Sequence, residues 1–399
     1  MRALVPVNRS YDVIVVGLGA MGSAALAECA ARGLRALGLD RWAPPHTHGS
    51  SHGRSRIIRE AYFEDPCYVP LVQRAYQRWD ELGREVGRIL WRRTGGLMIG
   101  PPGGTLVAGA IRSAEVHGLP HERMAAAEVR ARYPTLRLAD DTVAVWEPRA
   151  GVLDPEACVA AHLERARAGG AEIRVGEAAS AWRPDGDGVA VGTAAGRFHA
   201  TRLVLAAGAW TGSLVPELRS ALTVTRQVLF WFEPAVDAQA FAPERFPIFI
   251  WEDEPGRFFY GFPDLGDGVK VARHQEGEPT DPNRVRREVS KAEVGAMRTV
   301  VARCLPEAGG RLRDTAVCLY TNTPDQHFIV DRHPEHAQVL IASPCSGHGF
   351  KFASALGEVL ADLVQGSAPR FDLEPFRMGR LSARGGGVGG RSPRRRAAT

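Results

Sequence analysis

Residues 11–40 read YDVIVVGLGAMGSAALAECAARGLRALGLD. An apolar run from Val13 to Val16 leads straight into Gly17-Leu18-Gly19-Ala20-Met21-Gly22. An alanine-rich stretch follows, Gly33 stops it, and a second short apolar run ends at Asp40. The order predicts strand, glycine turn, helix and strand. Gly17 permits a tight turn, Gly19 lets backbone approach a pyrophosphate, and Gly22 allows the helix to pack close on the strand. Ala20 and Met21 open a helix whose unpaired N–H groups and dipole favour phosphate. Asp40 is placed to accept hydrogen bonds from a ribose. The stretch predicts a dinucleotide-binding βαβ unit, and by itself does not separate FAD from NAD.

The chain then returns to the same sheet. TRLVLAAGAWTGSL (201–214) is another buried strand running into a small-residue turn with Gly208 and Trp210. PEACVAAHLERARAGG (155–170) is a helix with a Gly-Gly stop ahead of the strand EIRV. LTVTRQVLFWFEP (222–234) and FPIFIWEDEPGRFFYGFP (246–263) predict antiparallel pairing, the second as a hairpin around Pro-Gly. The expected fold is α/β plus antiparallel β. A Rossmann-like cofactor-binding domain spans 1–88, 152–217 and 322–382, with an inserted, mostly antiparallel substrate domain at 89–151 and 218–321. A disordered Arg/Gly-rich tail is expected over 383–399.

Of the 399 residues, 45% are apolar and 24% charged, as in an ordinary globular protein of this size. The net charge is +5, but the tail from Arg384 holds five arginines and no acid. The body therefore has no basic excess, which argues against a nucleic-acid partner. Six cysteines are scattered, with no C-x-x-C pair and no zinc-like spacing. That pattern suits a reducing compartment and predicts neither a disulfide framework nor a metal site. The N-terminus lacks an apolar signal core, and no run of 18 apolar residues suggests a membrane span. A cytoplasmic enzyme without a membrane partner is expected.

Four segments gather chemistry-bearing residues. PPHTHGSSHGRSRIIR (44–59) packs three histidines and three arginines into one loop. VKVARH places Lys270 and His274 four apart, a spacing that shares a face on a strand or a helix. SGHGFKF (346–352) sets Lys351 between two phenylalanines, beside glycines that let backbone approach a flat ligand. DTAVCLYTNTPDQHFIVD (314–331) puts Cys318 inside a strand-like run. On its own Cys318 reads as core filling or as a covalent handle, and the two stay open at this point.

In combination these motifs, with YGFP and the FDLEPFR ending, resemble the monomeric sarcosine oxidase and N-methyltryptophan oxidase family. Its members are FAD-dependent amine oxidases of the D-amino-acid-oxidase type, and the resemblance runs from YDVIVVG to FDLEPFR. It implies a covalent thioether from Cys318 to the 8-methyl carbon of the flavin. It further implies that Arg59 and Lys351 hold the substrate carboxylate, that Lys270 activates oxygen, and that Arg56 lies against the other ring face. Tyr260, His274, Tyr320 and Ile250 are implied in the pocket. Cofactor contacts are implied at Gly17, Gly19, Ala20, Met21, Gly22, Asp40, Ser50, Ser55, Gly208, Trp210, Gly347, His348, Gly349 and Lys351. The implied reaction is oxidative demethylation of a secondary amino acid using O2 and water, giving formaldehyde and hydrogen peroxide, in a monomer.

The chain departs from the family at several places. Ser51 stands for a histidine, Arg54 for an aspartate, Ser55 for a threonine and Ile250 for a methionine. Pro344 and Cys345 replace a glycine and an apolar residue. Two other readings stay open: an oxidase of a cyclic imino acid or specialised metabolite, and a non-catalytic dinucleotide-binding protein.

Overall fold

The computed structural model describes residues 10–382. The expected tail over 383–399 lies outside the described residues. The parts of the quoted stretch fall in the order anticipated: strand Ser10–Val16, helix Ala20–Ala31 and strand Ala36–Asp40. Both strands are almost wholly buried, as their unbroken apolar runs require of a sheet covered on both faces.

These strands sit in an eight-stranded sheet with a parallel core. Across it the order is Val339–Ser343, Gly196–Leu205, Ser10–Val16, Ala36–Asp40 and Glu172–Val175. The strand containing residues 201–205 thus lies directly against the first one, with Leu203 opposite Ile14. Helices Ala20–Ala31, Val69–Val86, Pro155–Ala168 and Ala353–Gln365 pack with it into one apolar core.

The second sheet has nine strands. Ile248–Glu254 and Arg257–Phe262 form the hairpin, and Val269–His274 continues it antiparallel. Thr223–Phe232 pairs with Val269–His274 on one side and with Leu312–Asn322 on the other. The sheet is mostly antiparallel as expected, with one parallel pairing that no sequence signal marked, Ile248–Glu254 with Gly96–Gly100. Alternation places a strand on a half-buried face but does not encode the direction of its neighbour. A third, three-stranded sheet joins Arg56–Ile58, Gly151–Leu153 and Trp91–Arg93. Its strands are too short to leave a periodic signal. Among the described residues no helix is long and apolar enough to cross a membrane.

Candidate active site

One continuous cavity runs from the glycine turn, past Cys318, to Arg59 and Lys351. Of the cofactor, substrate and catalytic residues implied above, all but Gly22, Ser55 and Lys270 line it. It therefore gathers side chains from segments some 300 residues apart in sequence.

At its first end Gly17 has φ +86°, and a Cβ there would lie 2.5 Å from the Ala206 carbonyl oxygen. A Cβ on Gly22 would lie 1.7 Å from the Gly17 oxygen. Only glycine fits either place, which is the reason for the motif's spacing. The helix behind it has no side-chain cap at Gly19. The Ala20 N–H donates to Ser51 Oγ at 3.0 Å. Asp40 Oδ2 accepts from Leu18 N at 2.7 Å and Oδ1 from Trp42 N at 2.9 Å. The carboxylate thus braces the glycine turn and retains lone pairs for a ribose. Ser343 Oγ is buried in the cavity wall without a hydrogen-bond partner among the described residues. A glycine cradle, a helix start with no N-cap side chain and an unpartnered buried hydroxyl fit a dinucleotide. The residues that would hold FAD here are Gly17, Gly19, Ala20, Asp40 and Ser343.

Midway along, Cys318 is 2% exposed and packs with Leu229, Trp231 and Ala272. Arg56 Nη2 reaches its Sγ at 3.4 Å, and the thiol donates to the Ser50 carbonyl at 3.6 Å. Arg56 is itself fixed by the carbonyls of Ser55 (2.8 Å) and Ser50 (2.7 Å). Ser50 Oγ donates to the Leu319 carbonyl at 2.6 Å. His52, buried close by, is held neutral: burial and then the charges of Arg56, Arg287 and Lys270 push it down to about 3.

The strand Val269–His274 settles the spacing of Lys270 and His274, which project from one face. Lys270 is 1% exposed and stands behind the cavity wall. Its Nζ donates to the carbonyls of Gly53 (2.7 Å) and Ser55 (2.9 Å) and meets Ser55 Oγ at 3.0 Å. Burial and the neighbouring Arg56 hold its pKa well below the usual lysine value. His274 is neutral, pushed to about 4 mainly by burial. The rings of Tyr260 and Tyr320 both lie near it, with centroids 6.3 and 5.8 Å away. Gly347, at φ +80°, makes the space, since a Cβ there would sit 2.4 Å from the Tyr320 ring.

At the far end Arg59 is 1% exposed and lies over Tyr62 and Phe63, its guanidinium carbon 4.3 and 4.8 Å from their ring centroids. One Nη donates to Ala61 O at 2.9 Å, and the other pairs with Glu64 Oε2 at 2.6 Å. Lys351 Nζ donates to His348 O at 2.7 Å and to Tyr62 Oη at 3.4 Å. Burial, then the charge of Arg59, lowers Lys351 to about 7. Burial raises Glu64, but Arg59, His348 and Lys351 outweigh it and hold that carboxyl at about 2. Glu64 escaped the sequence reading because an acid in a loop ordinarily reads as solvated. Ser51 was noted only as a departure, yet it touches the first N–H of the helix. Nothing in their sequence neighbourhoods signals either contact.

The sequence model of the FAD dependent oxidoreductase family matches residues 12–363. The chain is 45% identical over 378 residues to a monomeric sarcosine oxidase of Streptomyces avermitilis, covering 94% of this chain and 98% of that one. It is 37% identical over 374 residues to an N-methyl-L-tryptophan oxidase of Salmonella heidelberg, covering 93% and 99%. Its structure matches that of NikD, described as an unusual amino acid oxidase essential for nikkomycin biosynthesis, with a TM-score of 0.80. That match covers 92% of this chain and 97% of the other at 24% identity, and it carries the fold alone. By sequence match across almost its whole length and by its fold, the chain belongs to the DAO family of FAD dependent oxidoreductases.

Proposed function

We propose that the protein oxidises N-methyl amino acids, sarcosine or a relative of it, at an FAD tethered through Cys318. Bound FAD would supply the two-electron acceptor. In this reading the regions 1–88, 152–217 and 322–382 hold the cofactor, while 89–151 and 218–321 shape the substrate side. Arg59 offers a fork of donors to the substrate carboxylate and Lys351 a point charge. Anchored there, the amine is oriented toward the middle of the cavity, a gain from position. Tyr260, Tyr320, His274 and Ile250 form the walls around it. Lys270 and Arg56 set fixed positive charge where oxygen is reduced. The balance is N-methyl amino acid, O2 and water in; amino acid, formaldehyde and hydrogen peroxide out.

The observation that carries this reading is the placement of Arg59 and Lys351 in the same cavity as Cys318 and the Gly17 turn. The test is turnover of sarcosine, N-methyltryptophan and pipecolate with peroxide and formaldehyde assayed separately. Equal amounts of both products from an N-methyl substrate are expected. Peroxide without formaldehyde, from pipecolate alone, would move the assignment to cyclic imino acids.

Two further outcomes follow from the far end of the cavity. Glu64 already engages Arg59, so it competes with an incoming carboxylate. E64Q keeps the shape and removes that charge, and the Kd of a simple carboxylate ligand should fall by about tenfold. Perturbation of the flavin absorbance reads it; an unchanged or weaker Kd contradicts the competition. Lys351, lowered to about 7, is cationic below that pH and neutral above it. A carboxylate ligand lacking an amine should therefore bind about tenfold more weakly at pH 9 than at pH 6. A flat profile would remove Lys351 from the clamp.

A further inference from the structure

Arg287, so far met only as a charge near His52, lies in the irregular segment ahead of helix Lys291–Cys304. Its guanidinium donates only to main-chain carbonyls: Thr47 O at 3.0 Å, His48 O at 2.8 Å and Val317 O at 2.8 Å. Two of these belong to the histidine-rich loop. The third belongs to the residue before Cys318. Among the described residues no carboxylate pairs with it.

Among the described residues the strand Leu312–Asn322 pairs only with Thr223–Phe232, so its other edge carries carbonyls that no described strand satisfies. On that edge the residues flanking Cys318 find partners: Val317 O takes Arg287 and Leu319 O takes Ser50 Oγ. The cysteine is thus pinned on both sides to one loop, whose Ser50 carbonyl also receives the thiol.

The aim of Arg287 is itself enforced. Arg226, 2% exposed, donates from Nε to Arg286 O at 2.6 Å and from Nη2 to Glu288 O at 2.8 Å, and pairs with Glu293. It grips the carbonyls on either side of residue 287. A buried arginine held by an acid fixes the segment, and Arg287, between its two anchor points, reaches the cysteine strand.

We propose that Arg287 is a positioning residue for covalent flavin attachment, clasping the Thr47–Ser50 loop to the strand so that Cys318 meets the ring edge. The inference rests on the proposed tether. In the net step one S–H and one C–H bond break and one C–S bond forms. The two electrons and two protons pass to O2, giving hydrogen peroxide.

The experiment compares wild-type, R287A and R287K chains for total bound flavin, acid-insoluble flavin and the rate of attachment when FAD is added to flavin-depleted protein. R287A should keep its total flavin, attach at least about tenfold more slowly, and leave most of its flavin acid-soluble. R287K, with donors but no fork, should fall between. Attachment by R287A at the wild-type rate would overturn the proposal. So would equal proportional loss of total and covalent flavin, which marks a merely structural role. Should R287A fail to fold, R287K decides, and a wild-type rate there overturns it. A wild-type chain without acid-stable flavin would refute the tether itself, and with it any role for Arg287 in forming it.

Discussion

Changing Cys318 to Ser is expected to abolish acid-stable flavin. The precipitated chain should be colourless and the supernatant yellow, where the wild type should keep its colour in the pellet. The reason is local chemistry. A thiol ionises within reach of neutral pH and attacks carbon as the thiolate, whereas a serine hydroxyl has no comparable anion. Arg56 lies 3.4 Å from the sulfur, and Arg287 is fixed to the preceding carbonyl. The glycine cradle and Asp40 are untouched by the change, so C318S should still bind FAD reversibly. Acid-stable flavin in C318S would show that the tether is elsewhere.

The second large effect belongs to Lys270. In K270M the reoxidation of reduced flavin by O2 should slow by about 10²-fold, the scale on which one positioned electrostatic donor acts. Substrate affinity should change little, because the amine lies behind the cavity wall against Gly53 and Ser55 and not at the carboxylate clamp. Burial and Arg56 depress its pKa, so the cation is lost as pH rises through that lowered value. The wild-type reoxidation rate should fall in that direction, and K270M should lose the dependence. Stopped-flow traces with a wild-type rate in K270M would remove the role.

The strand, glycine turn and helix of residues 11–40 are legible because their physics is local. Gly17 and Gly22 can be nothing but glycine at contacts of 2.5 and 1.7 Å, and a sequence records that directly. The hairpin of residues 248–262 announced itself through its Pro-Gly turn. What stayed hidden depends on partners far along the chain. The parallel pairing of Ile248–Glu254 with Gly96–Gly100 leaves no mark in either strand. Lys270 and His274 could not be assigned to strand or helix until their neighbours were known. Glu64 looks like a solvated acid, and only its 2.6 Å contact with Arg59 makes it part of the pocket. Arg287 is one of several arginines in a polar segment, singled out by the carbonyls it reaches.

The proposed function requires a flavin and a carboxylate clamp to share one cavity. The most direct test is anaerobic titration with sarcosine and with its methyl ester, following the loss of flavin absorbance. The account predicts that sarcosine bleaches the flavin and that the ester, lacking the anion that Arg59 and Lys351 hold, is about 10²-fold less effective. Equal bleaching by the ester, or none by either compound, would contradict it.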